Sequence, residues 1–302
     1  MDTVARKITV PVKTLFMKNT FFNAIAFAML LITFSSCDKD DDPTAEPSSN
    51  NLHLDSSTAL GKYMVDKKGR TLYFFANDVN GQSNCTGGCL ANWKPLVADS
   101  TSGQYDAGLS AADFTTVGAG RQLAYKGWML YYYTPGDVPE AAGQTSGEGV
   151  GGVWFVAKPD YTIMIANHQL TGANGINYLS NYTPGDGRSI YFTDAKGNTL
   201  YSISRDSALN NNFTLADFSN NPIWPIYEQP NIVVPSTLNK SLFVVMDVFG
   251  RKQLTFNGWP LYYFGADNMI PGANKGITIP PSQPVGSIWR VVNSTLPAAP
   301  TP

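Results

Sequence analysis

Arg251-Lys-Gln-Leu-Thr-Phe-Asn-Gly-Trp-Pro-Leu-Tyr-Tyr-Phe-Gly-Ala-Asp267 is the stretch whose reading decides the fold. Apolar and aromatic residues flank Asn257-Gly258, and an Asn-Gly pair tolerates the positive φ angles of a type I′ turn, so the segment reads as a β-hairpin. Its second strand leaves through Tyr262 and Phe264, two residues apart and therefore on one face, and ends at Asp267. Imperfect copies of this second half occur four times along the chain, so the hairpin is a repeating unit.

The repeat has two levels. Trp93 and Trp224 are 131 positions apart, as are Trp128 and Trp259, and Gln122-Leu123 recurs as Gln253-Leu254. Upstream, Asp66-Lys-Lys-Gly-Arg-Thr-Leu-Tyr73 matches Asp194-Ala-Lys-Gly-Asn-Thr-Leu-Tyr201 at an offset of 128. Each half divides again, giving hairpin units at residues 63–78, 121–137, 189–206 and 252–267, each followed by a loop and a short strand with Trp93, Trp154, Trp224 or Trp289. With 27 Gly, 20 Pro and 12% aromatic residues, the chain is expected to be all-β, with tandem antiparallel hairpins. The duplication of halves is sharper than that of quarters, which favours two similar lobes over a small four-bladed, propeller-like arrangement. The expected lobes are 58–170 and 182–293, with a linker at 171–181 and a tail at 294–302.

The first 36 residues read as a signal peptide, because an apolar run from Phe21 to Phe34 follows Lys18 and is short for a membrane span. Met17 offers an alternative start, which would make residues 1–16 an upstream extension. Leu31-Ile-Thr-Phe-Ser-Ser-Cys37 resembles a bacterial lipobox, so Cys37 is the expected lipidation site and the lipid the expected membrane attachment. Residues 37–57 are acidic and then rich in Pro, Ser and Asn, which suits a flexible tether. The acidic cluster after Cys37 also resembles the surface-export signal of some outer-membrane lipoproteins; a merely solvated linker accounts for it equally well. A net charge of −2 and 15% charged residues leave no basic face for nucleic acid.

Tyr73 to Asp78, Tyr132 to Asp137, Tyr201 to Asp206 and Tyr262 to Asp267 all have the form Tyr-X4-Asp. Together with Cys85-Thr-Gly-Gly-Cys89-Leu-Ala-Asn-Trp93 and Gly149-Val-Gly-Gly-Val-Trp154, they make the chain from Leu60 to Asn293 resemble the secreted-repeat lipoproteins marked by that motif. The resemblance implies a cell-envelope location and a repeat architecture, and no particular chemistry. Two departures stand out. Tyr131, not Tyr132, aligns with Tyr262 at the 131 offset, and the second half lacks both cysteines of the first.

Two readings of the motif remain open. Each Tyr packs on its sheet while its Asp bonds the backbone of the next loop, or the aromatic faces and carboxylates at the loop mouths hold a sugar, a peptide or a hard cation. Cys85 and Cys89 are expected to form a disulfide, since no His lies in metal-ligand spacing with them. No catalytic motif, cofactor cradle or metal set is legible, and pairs such as Asp66 with Asp78 or Asp137 with Glu140 are commonplace strand-end acids. The expectation is a lipid-anchored cell-envelope module, outer-membrane and surface-exposed at its most specific. It would be a binding or structural protein, not an enzyme, meeting an envelope protein or a glycan. The alternative is a redox accessory using Cys85/Cys89.

Overall fold

A computed structural model describes residues 51–98 and 103–302. The signal peptide, Cys37 and the tether up to residue 50 lie outside the described residues. The fold is all-β: among the described residues the helical turns are short 3-10 segments of three to five residues, and no helix there is long and apolar enough to cross a membrane.

The first half runs through nine strands: β1 (Leu52–Ser57), β2 (Gly61–Asp66), β3 (Tyr73–Phe75), β4 (Trp93–Pro95), β5 (Phe114–Val117), β6 (Gln122–Tyr125), β7 (Trp128–Met129), β8 (Tyr131–Tyr133) and β9 (Trp154–Val156). They form a hairpin β1-β2, a meander β5-β6-β7 and a four-stranded sheet in the order β4-β8-β3-β9, all antiparallel. The second half repeats this plan with β10 (Met164–Thr171), β11 (Asn177–Tyr178), β12 (Arg188–Thr193), β13 (Tyr201–Ile203), β14 (Phe243–Val248), β15 (Arg251–Phe256), β16 (Trp259–Pro260) and β17 (Trp289–Val291). Here β13 pairs with β17, and bridges from Tyr262 to Tyr201 and to Ile226 complete the counterpart of the four-stranded sheet. Ile226 stands where Pro95 pairs with Tyr131 in the first half.

The four motif units therefore do not form four blades. Strands of two units interleave, β3 beside β8 in one half and β13 beside Tyr262 in the other, so four units make two sheets. The hairpin is also more than a hairpin. After its turn the chain pairs at Trp259–Pro260 with the meander, then crosses at Leu261 so that Tyr262 joins the other sheet. A single strand thus links two sheets, and Trp128–Met129 followed by Tyr131–Tyr133 does the same in the first half. The turn is of the expected kind: Asn257 and Gly258 have φ of 48° and 85° between the paired Phe256 and Trp259.

One boundary moves. β1 occupies residues 52–57, which composition places in the tether; only Leu52 and Leu54 are apolar, but full backbone pairing with β2 holds the strand, and Asp106 accepts a hydrogen bond from the Leu54 amide at 2.8 Å. Residues 171–181 carry the end of β10 and all of β11. The two lobes share a core: the described residues cluster as one unit, and a single buried group contains Leu72, Phe74, Trp128 and Leu130 together with Tyr191, Tyr201 and Trp289. Trp128 Nε1 donates to the Ala195 carbonyl at 3.1 Å, tying the first lobe to the second.

Candidate functional site

Tyr73 and Tyr131 lie directly opposite each other on β3 and β8, and Tyr201 and Tyr262 face each other in the same way in the second lobe. All four are fully buried. A buried phenol must place its hydroxyl on a partner, and in each case the partner is the acid carried by the neighbouring strand's unit. Tyr131 donates to Asp78 Oδ2 at 2.7 Å and Tyr262 to Asp206 Oδ2 at 2.7 Å. In the other direction Tyr201 donates to Asp267 Oδ2 at 2.6 Å, and Tyr73 donates to Glu140 Oε1 at 2.5 Å.

The second oxygen of each acid accepts a backbone amide from the loop that follows it. Asn84 N reaches Asp78 at 2.7 Å, Asn212 N reaches Asp206 at 2.8 Å, Lys275 N reaches Asp267 at 2.9 Å and Ser146 N reaches Glu140 at 2.9 Å. Each carboxylate thus clamps a strand tyrosine to a loop backbone, and both of its oxygens are occupied. These are charge-assisted bonds inside the protein, shorter and stronger than neutral ones.

Asp137 is the exception among the motif acids. It is exposed and forms an ion pair with Lys94 at 2.7 Å, while Glu140 does the work that Asp267 does in the second lobe. The loop after Tyr131 is longer than that after Tyr262, so counting forward from the tyrosine lands on the wrong acid. Counting back from the following glycine fails as well, since Asp267 lies nine residues before Gly276 and Glu140 seven before Gly147, although Gly147 N approaches the Tyr73 hydroxyl at 3.2 Å as Gly276 N approaches that of Tyr201 at 3.3 Å. Tyr132 has a different partner, Asp66, at 3.1 Å; Tyr263 meets Asp194 likewise at 2.9 Å. These two acids organise the turns after β2 and β12, accepting the amides of Lys68 and Arg70 in one lobe and of Lys196 and Asn198 in the other. Both turns are legible in the sequence as matched blocks; their tyrosine partners are not.

Burial is the largest electrostatic influence here. It pushes the carboxyls of Asp78 and Asp206 up to about 6 in spite of the donors around them, and raises those of Asp267 and Glu140. Burial, reinforced by the adjacent carboxylate, also raises Tyr73, Tyr131, Tyr201 and Tyr262, which keeps all four phenols protonated as donors.

Beneath the clamps lie paired indoles. Trp93 stacks on Trp154 at 3.7 Å and Trp224 on Trp289 at 3.4 Å, with tyrosines edge-on to each pair. Gly147 and Gly276 close over them; a Cβ at either position would come within 2.8 Å of a Tyr and a Trp ring. The disulfide Cys85–Cys89, with Cα atoms 5.3 Å apart, packs into the first cluster through the buried Cys85. Since Asn84 and Asn212 are equivalent, Phe213 is the counterpart of Cys85, and its ring packs edge-on against Trp289 and Tyr262.

Two small clefts lie at equivalent places, one lined by Arg70, Tyr132 and Glu140 and the other by Asn198, Tyr263 and Asp267. The second has a volume of about 10 Å³, room for one water at most. Among the described residues no three His, Cys, Asp or Glu side chains come together as a metal-binding group.

No curated protein and no solved structure matches the chain. Residues 56–97, which run from the end of β1 through the Asp66 turn, Tyr73, Asp78 and the disulfide to β4, match the family described as a secreted repeat of unknown function. The clamp and aromatic stack that start in that segment recur in the second lobe, and the chain is an extracytoplasmic repeat protein with a segment similar to that family.

Proposed function

We propose that this protein is a lipid-anchored scaffold of the cell envelope, outer-membrane and surface-exposed, whose duplicated core holds surface loops in place for binding an envelope protein or glycan. One observation carries the reading: the tyrosines and acids repeated in every unit are spent on one another and on loop backbones, so the motif's task is to fix loops. A residue repeated in each unit answers a need that each unit has. The disulfide performs the same packing task as Phe213, which speaks for a staple over an electron carrier. With the repeated chemistry turned inward, recognition falls to loops that differ between lobes.

Anchoring is tested by Cys37→Ser. The wild type should partition into the detergent phase after Triton X-114 separation and the variant should not, because acyl chains on that sulfur supply the membrane affinity. Equal partitioning would overturn the anchor. Protease treatment of whole cells that leaves the protein intact would overturn surface exposure.

A further inference from the structure

Two of the segments in which the lobes differ meet. The hairpin β14-β15 spans Phe243 to Phe256, where β5-β6 spans Phe114 to Tyr125; both pairs close their hairpins in register, so the second is two residues longer. The extension adds Asp247 opposite Lys252 and Val248 opposite Arg251, and its tip is Phe249-Gly250. The other segment runs from Phe213 to Trp224, three residues longer than its counterpart from Cys85 to Trp93.

At the junction, Phe218 and Phe249 contact edge to face with ring centres 6.0 Å apart. The Arg251 guanidinium lies 4.0 Å over the Phe218 ring and pairs with Glu228 at 3.1 Å, and that pair is about half exposed on both sides. Phe249 is 57% exposed. Its φ is 50° and that of Gly250 is 87°, the angles of a type I′ turn, and Phe218 has a φ of 56°. A bulky aromatic residue is poorly suited to positive φ. The turn at Asn257-Gly258 uses the same angles with the residue that suits them. Phe249 therefore breaks a local rule on an extension the fold does not need, and leaves its ring in solvent; such violations without a folding gain mark function.

We infer that Phe249, Phe218, Arg251 and Glu228 form a binding platform for a neutral sugar ring of a polysaccharide. This rests on the scaffold reading above and names its ligand class. The exposed phenyl offers a flat apolar surface to the C–H face of a pyranose. Arg251 and Glu228 offer donors and an acceptor side by side, as vicinal hydroxyls require. Their charges cancel, so the platform does not favour an anion, and the face of Phe218 already holds a cation. The site is open, which suits a chain passing over it.

Affinity electrophoresis of the full-length protein through gels containing mixed-linkage β-glucan, galactomannan, xylan or soluble starch tests the inference. At least one gel should retard the protein, with the apparent affinity falling by about tenfold in Phe249→Asn and in Arg251→Ala. Phe249→Asn should melt no lower than the wild type, since it creates a favoured Asn-Gly turn. Migration unchanged in all four gels, retardation unaltered by Phe249→Asn, or a lowered melting temperature for that variant would each overturn the platform. So would saturable capture of a protein through Phe249 without polysaccharide binding. None of these outcomes bears on the lipid anchor, which the Cys37→Ser experiment tests separately.

Discussion

Tyr201 donates its hydroxyl not to Asp206, five residues on, but to Asp267, 2.6 Å away and 66 residues along the chain. Asp206 receives Tyr262 instead. The motif that reads along the sequence as a local Tyr-X4-Asp pair is a reciprocal exchange between two units.

A double-mutant cycle measures that exchange. Tyr201→Phe should cost about 1.5–3 kcal/mol, the range for a hydrogen bond to a charged group. Combined with Asp267→Asn it should show a coupling of order 0.5–3 kcal/mol in urea denaturation. The coupling of Tyr201→Phe with Asp206→Asn should be smaller, and the reverse ranking would contradict the exchanged pairing.

Buried acids make stability depend on pH. Asp78 and Asp206 titrate near 6 when folded, and free aspartate titrates near about 3.9, so between these values the folded state holds more protons. Their contribution is complete below pH ~4 and is lost as pH rises towards 6. Asp267 and Glu140, also raised, act in the same direction; His168, lowered by burial, acts in the opposite one. Urea midpoints at pH 5 and 7.5 should therefore differ less in Asp78→Asn/Asp206→Asn than in the wild type, with the loss of stability at high pH reduced.

Glycines over the indole pairs are required by space. Gly147→Ala and Gly276→Ala each put a Cβ 2.8 Å from a Tyr and a Trp ring already packed against one another, so each should cost about 1–3 kcal/mol. Matching losses in the two lobes, read as shifts in denaturation midpoint, would show that the clusters are equivalent.

The turn at Gly258 is constrained twice, by a φ of 85° and by Ala208 and Ala299, which a Cβ would meet at 3.2–3.3 Å. Gly258→Val should destabilise by about 1–3 kcal/mol or more. A thermal midpoint equal to the wild type would contradict this turn geometry.

For the disulfide, Cys85→Ala/Cys89→Ala should cost about 2 kcal/mol, as expected for so short a loop. As a staple equivalent to Phe213, the bridge should have a reduction potential below about −300 mV. Equilibration with dithiothreitol that places it between roughly −120 and −270 mV would instead support a role in thiol exchange.

The sequence by itself determined the all-β class, the duplication, the type I′ turn at Asn257-Gly258 and the disulfide. Each is written in short-range chemistry: turn residues, alternating aromatics, a fixed offset between tryptophans, two cysteines close along the chain. Only the tertiary structure decided which tyrosine meets which acid. Strand pairing sets that choice, and β3 lies beside β8 because both can bury their aromatics there, a fact that no window of neighbouring residues contains. Glu140 shows the same limit, since a loop of different length brings a different residue to one point in space. The meeting of Phe218 with Phe249 lies furthest from the sequence: the two come from separate length differences, and only folding places the rings 6.0 Å apart.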